Sequence, residues 1–224
     1  MSLLFMILVV AVLPLLAAFT YRNIRKMEAE IDAPLELEKG PIYLQSIVMQ
    51  SIVALVAWFT ADMEHLPIRF QSKFDWQSVL AAVAFVGIAL SLAAWSKKSN
   101  QNNNDTSTLK YILPSTVRDR LWWIVAVMVA AFCEEYVYRG VLYQLLLQQT
   151  GGLWVAAVLL SAIVFAFGHG TQGEKAILQI IPFALGFHLL VYLSGGLLLP
   201  MIAHFVYNIA VELLFGNERP QGNT

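Results

Sequence analysis

The amino-acid sequence predicts an all-α protein, a polytopic transmembrane helix bundle with about seven to eight membrane segments. Three observations carry that reading. Of the 224 residues, 58% are hydrophobic and only 13% are charged, where a soluble domain carries about 25% charge. Mean hydropathy is +0.66. The apolar residues also fall into runs at 3–21, 42–60, 78–96, 121–147, 153–169, 176–193 and 197–215, of a length suited to a ~30 Å hydrocarbon core.

The first run has no basic stretch ahead of it and Arg22, Arg25 and Lys26 behind it. A cleaved signal peptide has the reverse arrangement, so a retained helix with its N-terminus outside is expected. Basic residues then gather in the first loop (Arg22, Arg25, Lys26, Lys39) and the third (Lys97, Lys98, Lys110, Arg118), while the second holds Arg69 and Lys73. This alternation places loops one and three in the cytoplasm. Compact length and the lack of organelle-retrieval signals suit the plasma (inner) membrane of a bacterium.

One integral membrane domain is expected over 1–224. It divides into accessory N-terminal helices (1–96), a polar linker (97–115) and core helices (116–215) that carry the chemistry. Residues 22–41 mix both signs and end at Gly40-Pro41, which reads as an interfacial linker. Asn102-Asn103-Asn104 marks the polar linker, and Asn104-Asp105-Thr106 there is a chance match to a glycosylation acceptor. Ser115 or Thr116, followed by Asp119, predicts the cap of the fourth helix. A net charge of −1 with no basic run longer than Lys97-Lys98 excludes nucleic acid as the expected partner. The single cysteine, Cys133, permits no intrachain disulfide; beside Glu134 it could be a nucleophile, but a small packing residue is the simpler reading.

Charges inside the apolar runs matter most, because each costs ~2.5–3.5 kcal/mol at a helix centre. Glu134, Glu135 and Arg139 share the fourth run. Residues i and i+4 lie on one helical face, so Glu135 stacks on Arg139 and keeps its charge. Glu134 points about 100° away, lacks a local cation and is suited to proton handling. A buried packing network of all three charges is the equally weighted alternative. His204 and Asn208 are also i and i+4, one face able to offer hydrogen bonds to an oxyanion. His169 ends the fifth run between Gly168 and Gly170. Glu212 is expected in a solvated or structural role, His188 in a plain packing role, and His65 in a loop.

Zinc deserves consideration. His-Glu-x-x-His is absent, but His169, His204 and Glu134 could supply two imidazoles and a carboxylate. Asn208 would be a poor fourth ligand, so a site with no metal and no cofactor is preferred.

At these residues the chain resembles the CPBP family, which includes type II CAAX prenyl endopeptidases, bacteriocin-immunity proteins and abortive-infection-like proteins. The family pattern is Glu-Glu-x-x-x-Arg, then Phe-x-x-x-His, then His-x-x-x-Asn. Here it reads Glu134-Glu135 to Arg139, Phe165 to His169, and His204 to Asn208, in order over roughly 116–215; Tyr138 stands where many members have Phe. The resemblance implies a glutamate-dependent intramembrane endopeptidase. Glu134 and His169 would activate water, His204 and Asn208 would stabilise the oxyanion, and Glu135 and Arg139 would support the site. The implied partner is a peptide or protein substrate, lipid-modified in part of the family, within membrane lipids. A non-catalytic immunity or regulatory protein of the same fold is the alternative. An ion or proton carrier would leave the histidine spacings unexplained.

A depth count tests whether these groups meet. From the face where the fourth helix ends, Glu134 lies ~20 Å down, His169 ~25 Å and Asn208 ~16 Å, but His204 only ~10 Å. His204 is too shallow unless the Ser194-Gly195-Gly196 turn is sunk below the surface or the helices tilt; a turn lying within protein is expected.

Overall fold

The computed structural model describes residues 1–30, 38–100 and 113–215. It is all-helical, 86% helix with no strand among the described residues. Seven helices lie among the described residues: α1 (Ser2–Met27, its last turn reaching Glu30), α2 (Lys39–Met63), α3 (Trp76–Ser96, continuing to Asn100), α4 (Val117–Gln149), α5 (Trp154–Gly168), α6 (Glu174–Ser194) and α7 (Leu198–Phe215). Five are long and apolar enough to cross a membrane, while α5 and α7 are shorter. The expected interfacial linker at 22–41 is in part helix, because α1 runs on to Glu30 and α2 begins at Lys39. Asn102-Asn103-Asn104 and Asn104-Asp105-Thr106 lie outside the described residues.

The outward faces are apolar: Leu3, Leu15, Val83, Leu178 and Leu214 are all exposed. Exposed tryptophans sit near both ends of the helices, Trp76 and Trp154 at one end, Trp95 and Trp122 at the other. Lipid-facing side chains between two aromatic belts are the arrangement a bilayer selects. The chain is thus an integral membrane protein, and its helices associate through close packing and polar contacts rather than escape from water.

Helix α4 is the centre, flanked by α2, α5, α6 and α7, with α1 lying on α5. Thr116 opens it with a capping box: its hydroxyl accepts from the Asp119 N–H at 3.1 Å, and the Asp119 carboxylate accepts from the Thr116 N–H at 3.1 Å. Midway, Glu135–Leu142 widens into a π-helix, and every residue of it is buried. Such widenings are common at functional sites. The Tyr138 carbonyl in this stretch accepts the Ser161 hydroxyl of α5 at 2.9 Å.

Residues 66–75, between α2 and α3, form a strap across the α6–α7 turn. The Lys73 N–H donates to Ser194 O at 2.7 Å, and the Leu197 and Leu198 N–H groups donate to Arg69 O and Phe70 O at 3.0 and 2.9 Å. Gly195 takes φ 73°, and a Cβ on Gly196 would stand 2.2 Å from Gln71 O. Ser194, Gly196 and Leu197 are buried and Gly195 is exposed, so the strap covers part of this turn.

Candidate functional site

Helix length places the first pair. Fifteen residues of α5 rise about 22 Å, short of the ~30 Å core, so His169 at its C-terminus stands inside the membrane-spanning layer. Glu134 is fifteen residues back from the end of α4, beside the start of α5, and so at about the same depth. Glu134 Oε2 and His169 Nε2 are 3.8 Å apart. The His169 Nδ1–H donates to the Phe165 carbonyl at 2.8 Å. A carbonyl can only accept, so in the neutral imidazole Nε2 is a lone pair facing the acid. The other oxygen, Glu134 Oε1, accepts from Gln50 Nε2 of α2 at 2.7 Å. The pair is not sealed: the His169 side chain is 22% exposed and that of Glu134 is 11%.

The second pair lies behind it. Glu135 and Arg139 are fully buried side chains 3.2 Å apart, stacked at i and i+4 as the spacing predicts. The same carboxylate oxygen accepts the His204 Nδ1–H at 2.9 Å. Arg139 Nη2 donates to Ala184 O of α6 at 3.3 Å, and its guanidinium lies over the Phe165 ring at 4.1 Å and near the Phe187 ring at 5.2 Å. A desolvated cation over an aromatic face gains about 2 kcal/mol. Phe165 is therefore the partition between the two pairs. His169 is 4.4 Å from it and His204 is 6.4 Å, ring centre to ring centre, so the imidazoles are no further apart than those two distances together.

The other expected residues divide. Asn208 lies one turn beyond His204 on α7, half-buried, with no side-chain hydrogen bond among the described residues. Its face is shared with His204, yet its amide is not joined to either acid. His204 also differs from the expected plain donor. With Nδ1–H committed to Glu135, its Nε2 donates only when the ring is protonated. Glu212 is not solvated: it is 2% exposed and accepts from Arg120 at 3.2 Å. Arg120 lies within α4, as Arg139 does. His188 is buried against Tyr143 at 5.5 Å, in keeping with a packing role. Cys133 is half-buried, and His65 sits exposed in the turn after α2 with φ 49°.

No group of three His, Cys, Asp or Glu residues among those described is placed to hold a metal ion. The alternative set of His169, His204 and Glu134 is divided, because His169 faces Glu134 while His204 is bonded to Glu135. Gln50 was missed in the sequence. Its signal was a carboxamide in a largely apolar run that also holds Gln45, Ser46 and Ser51, without any indication of which of these would meet an acid.

Helical order, burial and the acid–imidazole pairing define a polytopic membrane protein with ionisable groups gathered at its core. Residues 116–210 match the family model described as type II CAAX prenyl endopeptidase Rce1-like. This region, which holds Glu134, Glu135, Arg139, His169, His204 and Asn208 but not Gln50, is similar to that family of endopeptidases. No curated protein and no solved structure matched the chain.

Proposed function

We infer that the protein is an intramembrane endopeptidase that hydrolyses a peptide bond near the membrane surface. The observation that carries this reading is the 3.8 Å approach of Glu134 Oε2 to a lone-pair nitrogen of His169. Two acceptors at that separation suit one water, which donates an O–H to each from about 2.8 Å and keeps its own lone pairs free for a carbonyl carbon. Attack forms the C–O bond and passes the water's proton to the Glu134–His169 pair. The carbonyl oxygen becomes an oxyanion, stabilised by Asn208 and by protonated His204. Collapse then breaks the C–N bond, and the stored proton leaves on the amine. Glu135 and Arg139 fix His204 and do not touch the reacting atoms.

The reaction as written uses no metal and no cofactor, and the division of the two histidines between different acids supports that choice. The substrate is a peptide or protein segment, with lipid-modified chains among those the family description points to. The distribution of lysine and arginine supports an N-terminus outside and a site open to the cytoplasm. Purified protein in detergent, given an internally quenched peptide library, should cleave with equal rate in the presence of a chelator. Chelator-sensitive cleavage restored by zinc would overturn the metal-free mechanism. Binding of a peptide or partner without turnover would favour the non-catalytic alternative.

A further inference from the structure

The acid of the first pair is held from outside the matched region. Gln50 is half-buried midway along α2, the helix packed along α4, and its Nε2–H donates to Glu134 Oε1 at 2.7 Å. A glutamate carboxylate rotates about its last bond with little preference. Fixing Oε1 on an amide N–H from one side leaves Oε2 turned toward His169 on the other. A carboxamide in a membrane helix is expensive unless it finds a partner, and its partner here is the acid.

We propose that Gln50 is a positioning residue for Glu134. It holds the charged carboxylate in the rotamer that shares a water with His169, and the accessory helices thereby complete the site of the core helices. The inference rests on the reading of Glu134 as the proton-handling acid. A merely structural Gln50 would instead contribute to folding without a specific effect on turnover.

The test compares wild type, Gln50→Met, Glu134→Gln and the double variant, purified in detergent, on one peptide taken from the library because wild type cleaves it. Gln50→Met should lower kcat about tenfold to a hundredfold, the scale of a hydrogen bond to a charged group, with KM and thermal midpoint unchanged. In the Glu134→Gln background the same change should alter the residual rate less than about twofold, the non-additivity expected of coupled groups. A second readout needs no substrate. Dicyclohexylcarbodiimide labels carboxyl groups in apolar surroundings, and its labelling of Glu134, followed by mass spectrometry, should be severalfold faster once the amide no longer occupies Oε1.

Unchanged kcat and unchanged labelling in Gln50→Met, with cleavage abolished in Glu134→Gln, would overturn the positioning role and leave the protease reading standing. Full cleavage by Glu134→Gln would instead remove the reading of Glu134 as the proton-handling acid, and the positioning role with it. Should Gln50→Met not accumulate, Gln50→Ala removes the amide without added bulk and carries the same comparison.

Discussion

Replacing Glu135 by glutamine should destabilise the protein severely, and a second substitution should rescue it. Both side chains of the Glu135–Arg139 pair are 0% exposed, with the charges 3.2 Å apart. Without the carboxylate, Arg139 keeps one carbonyl at 3.3 Å and the faces of Phe165 and Phe187. Removing one partner of a buried pair leaves an uncompensated charge, at about 3–5 kcal/mol. That is more than a hundredfold in the ratio of folded to unfolded protein. Glutamine keeps the shape and an oxygen that accepts from His204, so the loss reports the charge. The double variant Glu135→Leu, Arg139→Met removes both charges and should recover most of the stability, while remaining inactive because His204 loses its acceptor. Thermal unfolding in detergent, read by the fraction that stays monodisperse, measures both effects. A Glu135→Gln protein within about 0.5 kcal/mol of wild type, or a double variant no better than the single, would refute this account of the buried pair.

Two further outcomes follow from the strap and the loop beyond it. Gly196→Ala sets a Cβ 2.2 Å from Gln71 O, and overpacking against backbone should lower stability by about 1–3 kcal/mol; hydrogen exchange should show the Leu197 and Leu198 amides losing protection, and unchanged exchange would count against the strap. Asp75 accepts the Ser78 N–H at 2.8 Å, which holds its carboxyl below the ordinary 3.8. A depressed folded value gives stabilisation that is complete above the unfolded value and is lost as pH falls through the lower folded one. The thermal midpoint of Asp75→Asn should therefore change less with pH below about 4 than that of wild type, and parallel curves would contradict this.

The sequence made helices and faces legible, but not which faces meet. Apolar runs located seven helices, five of them of the length a bilayer sets, and Thr116 with Asp119 marked the start of α4 because orphan amides there need an acceptor. Glu135 and Arg139 were paired by local periodicity alone. The contacts to Gln50 and His204 span 84 and 69 residues, and no local rule specifies such partners. The spacing of His204 and Asn208 correctly put both on one face, yet it could not show that Glu135 would take the His204 proton and so change what that ring can donate. Nor could it show that the Glu212 carboxylate would be buried against Arg120. The widened turn at Glu135–Leu142 has no signature in residue type, since it depends on backbone registry and on what packs around α4.

Single-turnover cleavage by Glu134→Gln, with folding verified beside wild type, tests the central claim most directly. Loss of the general base should slow the chemical step by about a hundredfold to ten-thousandfold while peptide binding is retained. A variant that cuts the same bond at the wild-type rate would show that the acid facing His169 does not activate the water.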